Sequence, residues 1–219
     1  MKLTSAYCSF VNGGKLVKPI LIDRIQDSEG NTIFNNEKRK CLNCNEISPL
    51  SKTYPEIKDD FSQIFSSETA YQITSILEGA IQNGTGKKLK DLNLDLAGKT
   101  GTTNKNTDTW FIGFTSKLAI GVYVGSDNPK PLGKNETGAK TALPIFKEFV
   151  KKAIDKQDAR PFKVANNISM MVIDHVTGKK AMIQSKKTII EAYKKIPNET
   201  LSNLDINNRF KNNNILRFY

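Results

Sequence analysis

Residues 92–125, LNLDLAGKTGTTNKNTDTWFIGFTSKLAIGVYVG, restrict the possible folds more than any other part of the chain. Leu92–Thr102, Thr109–Thr115 and Leu118–Gly125 are each rich in apolar, β-branched and aromatic residues and are joined by short polar links. Runs of this length and composition are strand signals. A parallel pairing needs a crossover of about a dozen residues or more, which these links do not supply. The stretch therefore predicts successive strands in an antiparallel meander.

Such a sheet must be covered, and the flanking sequence offers two helices for the task. Ala70, Ile73, Ile76, Leu77, Ala80 and Ile81 recur at helical spacing, with Ser66 or Ser67 able to cap the start and NGTG ending the run. Leu143, Phe146, Phe149, Val150, Ala153 and Ile154 would share one face of a helix over Lys140–Ile154. The fold class expected is α+β, an antiparallel sheet packed by helices.

Other segments give coarser signals. Residues 15–34 read as two apolar segments joined by the turn DSEGN, a hairpin in which Gly30 supplies a positive φ. Cys41–Asp60 is polar with two prolines and reads as an irregular loop. Beyond Arg160 the sequence predicts a strand at ISMMVID, a turn at HVTGKK, a second strand at AMI and a helix around TIIEAYKK. The Asn-rich residues 201–219 are expected to be loose.

Composition removes several classes of function. The 33 Lys and Arg against 22 Asp and Glu give a net charge of +11, which favours anionic partners. The basic residues are scattered as pairs at Lys87, Lys151, Lys179, Lys186 and Lys194, without interleaved aromatics, so no nucleic-acid face is read from them. Cys41 and Cys44 lack a second Cys or His pair, so no zinc site is expected and the pair is either free or a small disulfide. His175 is the single histidine and reads as the end of a strand before a turn. There is no apolar run of about 18 residues and no secretory signal. No cofactor and no metal are expected.

The chemistry is concentrated at Lys99, Thr100, Gly101 and Thr102. Gly98-Lys99-Thr100 resembles the end of a phosphate-binding loop, but that motif requires glycine where Asn93 stands. The other reading is one edge of an acyl-transfer site. Strand alternation puts Lys99 and Gly101 on one side and Thr100 and Thr102 on the other. A lysine there draws a carboxylate and orients a neighbouring hydroxyl, a glycine leaves room for a ligand backbone against the strand, and threonine hydroxyls donate to a carboxylate.

In this context LAGKTGTTNKNTDTWFIGFTSKLAIGVYVG resembles the third active-site motif and following strands of the bifunctional, class A penicillin-binding proteins, which cross-link peptidoglycan. LTSAYCSFVNGGKLVKPILIDRIQDSEGNTIF, ITSILEGAIQNGTGKKL and TGAKTALPIFKEFV resemble their preceding helix and hairpin, lead-in helix and closing helix. VIDHVTGKKA and IIEAYKKIPNET resemble the segment after their domain. The likeness runs from about Leu3 to Thr200, most specifically over Leu96–Gly125. It implies a β-lactamase/transpeptidase-like fold, incomplete in that only the second half of the domain is present. It also divides the chain into residues 1–157 of that domain, 158–200 after it, and the tail 201–219.

The resemblance implies a serine D,D-transpeptidase that β-lactams inhibit. Lys99 would be catalytic, orienting proton transfer and the carboxylate. Thr100, Gly101, Thr102 and Thr103 would bind substrate, with Thr102 offering its hydroxyl to the carboxylate. Trp110 and Phe111 would be structural core. The family's nucleophile is the serine of an S-x-x-K motif, and no serine in this sequence has Lys three residues on. Ser126-Asp127-Asn128 spells S-x-N but follows Lys99 in the chain, against the family's order. The expectation is a fragment of a peptidoglycan synthase, inactive alone. Its partners would be stem peptides, β-lactams and possibly an upstream half of the domain, with no nucleic acid. The alternatives are a complementing half of a split transpeptidase and a non-catalytic cell-wall interaction module using the basic surface. The family is anchored in the inner membrane facing the periplasm, whereas this sequence without signal or anchor is expected in the cytoplasm if expressed alone.

Overall fold

The computed structural model describes residues 1–37, 39, 41–42, 44, 56–58, 61–155 and 159–195. At its centre lie three antiparallel strands in the order β5-β6-β7, formed by Ala97–Thr102, Thr109–Phe114 and Ala119–Val124. The meander read from the sequence is therefore present. Its first strand is shorter than expected, because Lys87–Leu92 form a 3-10 turn that drives Leu89 and Leu92 into the core. Asn93 then takes a left-handed conformation, φ 52°, which breaks any run of strand from Leu92. The alternating leucines at 92, 94 and 96 mimic a strand that forms only at Ala97.

Register fixes what each face of the sheet carries. Ala97, Lys99 and Gly101 align with Phe114, Ile112 and Trp110, while Gly98, Thr100 and Thr102 align with Gly113, Phe111 and Thr109. Helix α1, Lys2–Val11, and helix α2, Ser67–Gln82, pack against the first face. There Leu77, Ala97, Phe114 and Phe162 are buried, with Tyr7, Phe10, Tyr71 and Ile73 around them. Helix α3, Ala142–Ala153, packs against the second, joining Phe111 to Leu143, Phe146 and Val150, and the Phe111 and Phe146 rings lie 4.7 Å apart. The sheet is thus sandwiched between helices, the mixed arrangement expected.

The helices form for legible reasons. Ser66 caps α2 by accepting from the Thr69 amide at 3.3 Å, satisfying one of the free N–H groups of the first turn. Helix α3 starts at Ala142 rather than Lys140, and tolerates Pro144 because it sits in the first turn, where no intrahelical donor is needed.

Smaller sheets lie outside this core. Arg24–Gln26 (β1) and Thr32–Asn35 (β2) form the expected hairpin, with Gly30 at φ 86°. Within the region expected as loop, Cys41–Leu42 (β3) pairs with Glu56–Ile57 (β4), a correction to that reading, and Cys41 and Cys44 are joined as a disulfide. Ile168–Asp174 (β8) pairs along its whole length with Thr188–Lys194 (β9). The helix expected at TIIEAYKK is therefore a strand, favoured by its β-branched residues and by an adjacent partner of equal length. AMI is not a strand of its own; the Ala181 amide donates to the Val172 carbonyl at 3.0 Å within the turn region. His175 lies in that turn after β8. The hairpin is tied to α2, since the Gln72 side-chain Nε2 donates to the Ala192 carbonyl at 3.0 Å and Lys194 Nζ to Thr69 Oγ1 at 2.9 Å. The tail expected to be loose, 201–219, lies outside the described residues.

Candidate active site

Among the described residues β5 is paired on one side only, with β6, so it forms an edge of the central sheet. The Lys99-Thr100-Gly101-Thr102 segment lies in extended backbone at that edge, which excludes the phosphate-cradling loop considered from Gly98-Lys99-Thr100. Lys99 is exposed, and its Nζ donates to the Thr100 carbonyl at 3.1 Å. Thr100 is half-buried on the opposite face, its hydroxyl 3.0 Å from that of Thr85.

Thr102 Oγ1 accepts a hydrogen bond from the Gly138 amide at 3.1 Å. A hydroxyl that accepts from a fixed N–H keeps its own proton for another partner. Close packing holds that donor in place. A Cβ on Gly138 would lie 2.4 Å from the Trp110 carbonyl oxygen and 2.6 Å from that of Gly101, so only glycine lets residues 137–141 press onto the end of β5. The Gly138 carbonyl in turn accepts from the Leu143 amide at 2.8 Å, coupling this loop to the start of α3.

Thr103 is engaged differently. Its hydroxyl accepts from the Asp108 amide at 2.8 Å and lies 2.8 Å from Thr107 Oγ1, while its own amide donates to the Asp108 carbonyl at 3.0 Å. These bonds close the turn from β5 to β6, whose Lys105 and Asn106 have positive φ. The Tyr123 hydroxyl donates to Asp108 Oδ1 at 2.7 Å. That bond, with lesser help from Thr107 and Thr103, holds the Asp108 carboxyl below its usual range, and the same bond raises the Tyr123 phenol. Trp110 packs on Tyr123 with ring centroids 4.7 Å apart, and Phe111 is wholly buried.

Ser126-Asp127-Asn128 follows β7, at the opposite edge of the sheet from β5. It is not brought beside Lys99. The partners that do reach the threonines, Thr85 and Gly138, were missed by motif reading, for they come from 15 and 36 residues away. The available signal was local: Thr85 stands between two glycines, and Gly138 precedes an amphipathic helix.

A sequence model of the family "Penicillin binding protein transpeptidase domain" matches residues 1–151. The chain belongs to that family. Relatives of the chain include penicillin-binding protein 1A of Rickettsia prowazekii (strain Madrid E), 45% identical over 195 residues that make up 88% of this chain and 24% of the relative. Penicillin-binding protein 1A of Rickettsia felis is 41% identical over 219 residues, 99% of this chain and 27% of the relative. The chain thus spans about a quarter of the length of these relatives. The crystal structure of penicillin-binding protein 1A from Haemophilus influenzae superposes with a TM-score of 0.69 at 31% identity, covering 87% of this chain and 31% of that one. The penicillin-binding transpeptidase fold read from the sequence is therefore the fold found. No helix among the described residues is long and apolar enough to cross a membrane.

Proposed function

We propose that these residues form the Lys-Thr-Gly wall of a serine D,D-transpeptidase cleft, whose nucleophile lies on polypeptide outside the 219 residues. The observation that carries the reading is the edge strand β5, with Lys99 exposed and the Thr102 hydroxyl held as a donor by the Gly138 amide. An anionic group along that edge would meet a cation and an oriented O–H together.

On this reading the serine oxygen attacks the carbonyl between two terminal D-alanines of a stem peptide. The C–N bond breaks, the departing D-alanine takes a proton, and an ester to the serine remains. An amine of a neighbouring strand then attacks the ester, forms the cross-linking amide, and returns the serine its proton. Lys99 is rooted on the other face of β5 from Thr100 and Thr102, but its Nζ turns along the strand to the Thr100 carbonyl at 3.1 Å, and from there it orients proton transfer and attracts the terminal carboxylate. Thr100 and Thr102 donate to that carboxylate, and Gly101 admits the substrate backbone. Thr103 supports the turn, because its hydroxyl is already engaged by Asp108. The site would work on the periplasmic face of the inner membrane, and penicillin would occupy it as a donor mimic.

Labelling with a fluorescent penicillin tests the proposal. The 219 residues alone should take up no covalent label, and adding a segment that carries the S-x-x-K and S-x-N motifs should produce a stoichiometric adduct on that segment's serine. A stoichiometric adduct on the 219 residues alone, or none in the assembled domain, would refute it.

A further inference from the structure

We infer that Thr85 is a positioning residue of the carboxylate subsite, directing the proton of the Thr100 hydroxyl toward the substrate; the inference rests on the transpeptidase reading of β5. Thr85 sits in the loop that leaves α2, and that loop is pinned to the last helical turn. The amides of Gly84 and Gly86 both donate to the Ala80 carbonyl at 3.1 Å, and a Cβ on Gly84 would lie 2.7 Å from that same oxygen. Downstream, the Leu89 amide donates to the Gly86 carbonyl at 2.9 Å, and Leu89 is buried in the core. Thr85 is therefore held between two anchored ends, with its hydroxyl 3.0 Å from Thr100 Oγ1.

A hydroxyl has one proton and two lone pairs. In the Thr85–Thr100 pair one proton is taken by the bond between them. If Thr100 donates, it turns only lone pairs toward the cleft and repels an anion. If Thr85 donates, Thr100 keeps its proton and can donate to a carboxylate, as Thr102 can with its oxygen occupied by the Gly138 amide. A carboxylate near Lys99 selects the second arrangement, and the chain Thr85 to Thr100 to carboxylate is then strengthened along its length. Thr85 thus acts on the substrate through Thr100.

The test is made in the assembled domain, this chain with the segment bearing the serine motifs, using a fluorescent penicillin and its methyl ester, in which the carboxylate is masked. Thr85→Val should lower the apparent affinity in acylation by the free acid roughly tenfold, with the maximal acylation rate unchanged. Acylation by the ester should not change, and Thr85→Ser should restore the parent value. In a Thr100→Val background Thr85→Val should have no further effect. Thr85→Ala is run beside it, and the comparison uses whichever variant keeps the parent melting temperature. An equal loss with both probes, no loss with the acid, or a further loss on Thr100→Val would each overturn the inference while leaving the transpeptidase reading intact. Absence of labelling in the unmutated assembled domain would instead sink that reading, and the inference with it.

Discussion

Replacing Gly138 by alanine isolates the contact that orients the Thr102 hydroxyl. The new Cβ would meet carbonyl oxygens at 2.4 and 2.6 Å, where ordinary contact begins at 3.4 Å. Both neighbours are backbone atoms of the central sheet and cannot rotate away. The loop must retreat by roughly 1 Å, and overpacking of this kind costs about 1–3 kcal/mol. The retreat also breaks the bond from the Gly138 amide to Thr102 and loosens the one from Leu143 to the Gly138 carbonyl, adding about 1 kcal/mol net for each hydrogen bond lost. At about 2–4 °C per kcal/mol for a domain of this length, the chain should melt about 5–15 °C lower. Thermal unfolding followed by far-ultraviolet circular dichroism measures this, with Gly79→Ala as a control of opposite sign. Gly79 lies within α2 with nothing near its missing Cβ, so alanine there should stabilise by about 0.5–1 kcal/mol. If Gly138→Ala melts within a degree of the parent, the proposed anchoring of the loop on β5 is wrong.

Further outcomes follow from other residues. Ser9 is fully buried and its hydroxyl has no hydrogen-bond partner among the described residues, so Ser9→Ala should raise stability by about 1 kcal/mol in urea titrations. Phe146→Ala removes the ring packed on Phe111 and should cost about 3–5 kcal/mol by the same measurement. Burial, and after it the charge of Asp95, raises the Glu78 carboxyl above its ordinary 4.5. The folded state then holds its proton more tightly than the unfolded chain, so stability falls as pH rises from about 4.5 through the folded value, and Glu78→Gln should flatten that part of the profile.

What the sequence revealed depended on how local the cause was. The strands β6 and β7, the Ser66 cap and the Gly30 turn are set by neighbours in the chain, and all were legible there. So was the division of Lys99 and Gly101 from Thr100 and Thr102, because alternation requires only an extended backbone. The failures lie where a distant partner decides. TIIEAYKK satisfies helical and strand patterns alike, and only pairing with β8 selects the strand. The leucines at 92, 94 and 96 alternate, but burial of Leu89 and Leu92 wins over extension. At the proposed site, Lys99-Thr100-Gly101-Thr102 was readable as one extended strand, whereas the groups that hold its hydroxyls, Thr85 and Gly138, arrive from other loops.

The chain has one tryptophan, Trp110, and it stands opposite Gly101 in the neighbouring strand. A Cβ placed on Gly101 would lie only 3.1 Å from that of Trp110, so the indole grows from the backbone immediately beside β5. Its emission is consequently a native optical gauge of β5: exciting the one indole of these 219 residues reports displacement of the strand without any dye, with the tyrosines as the other emitters to subtract.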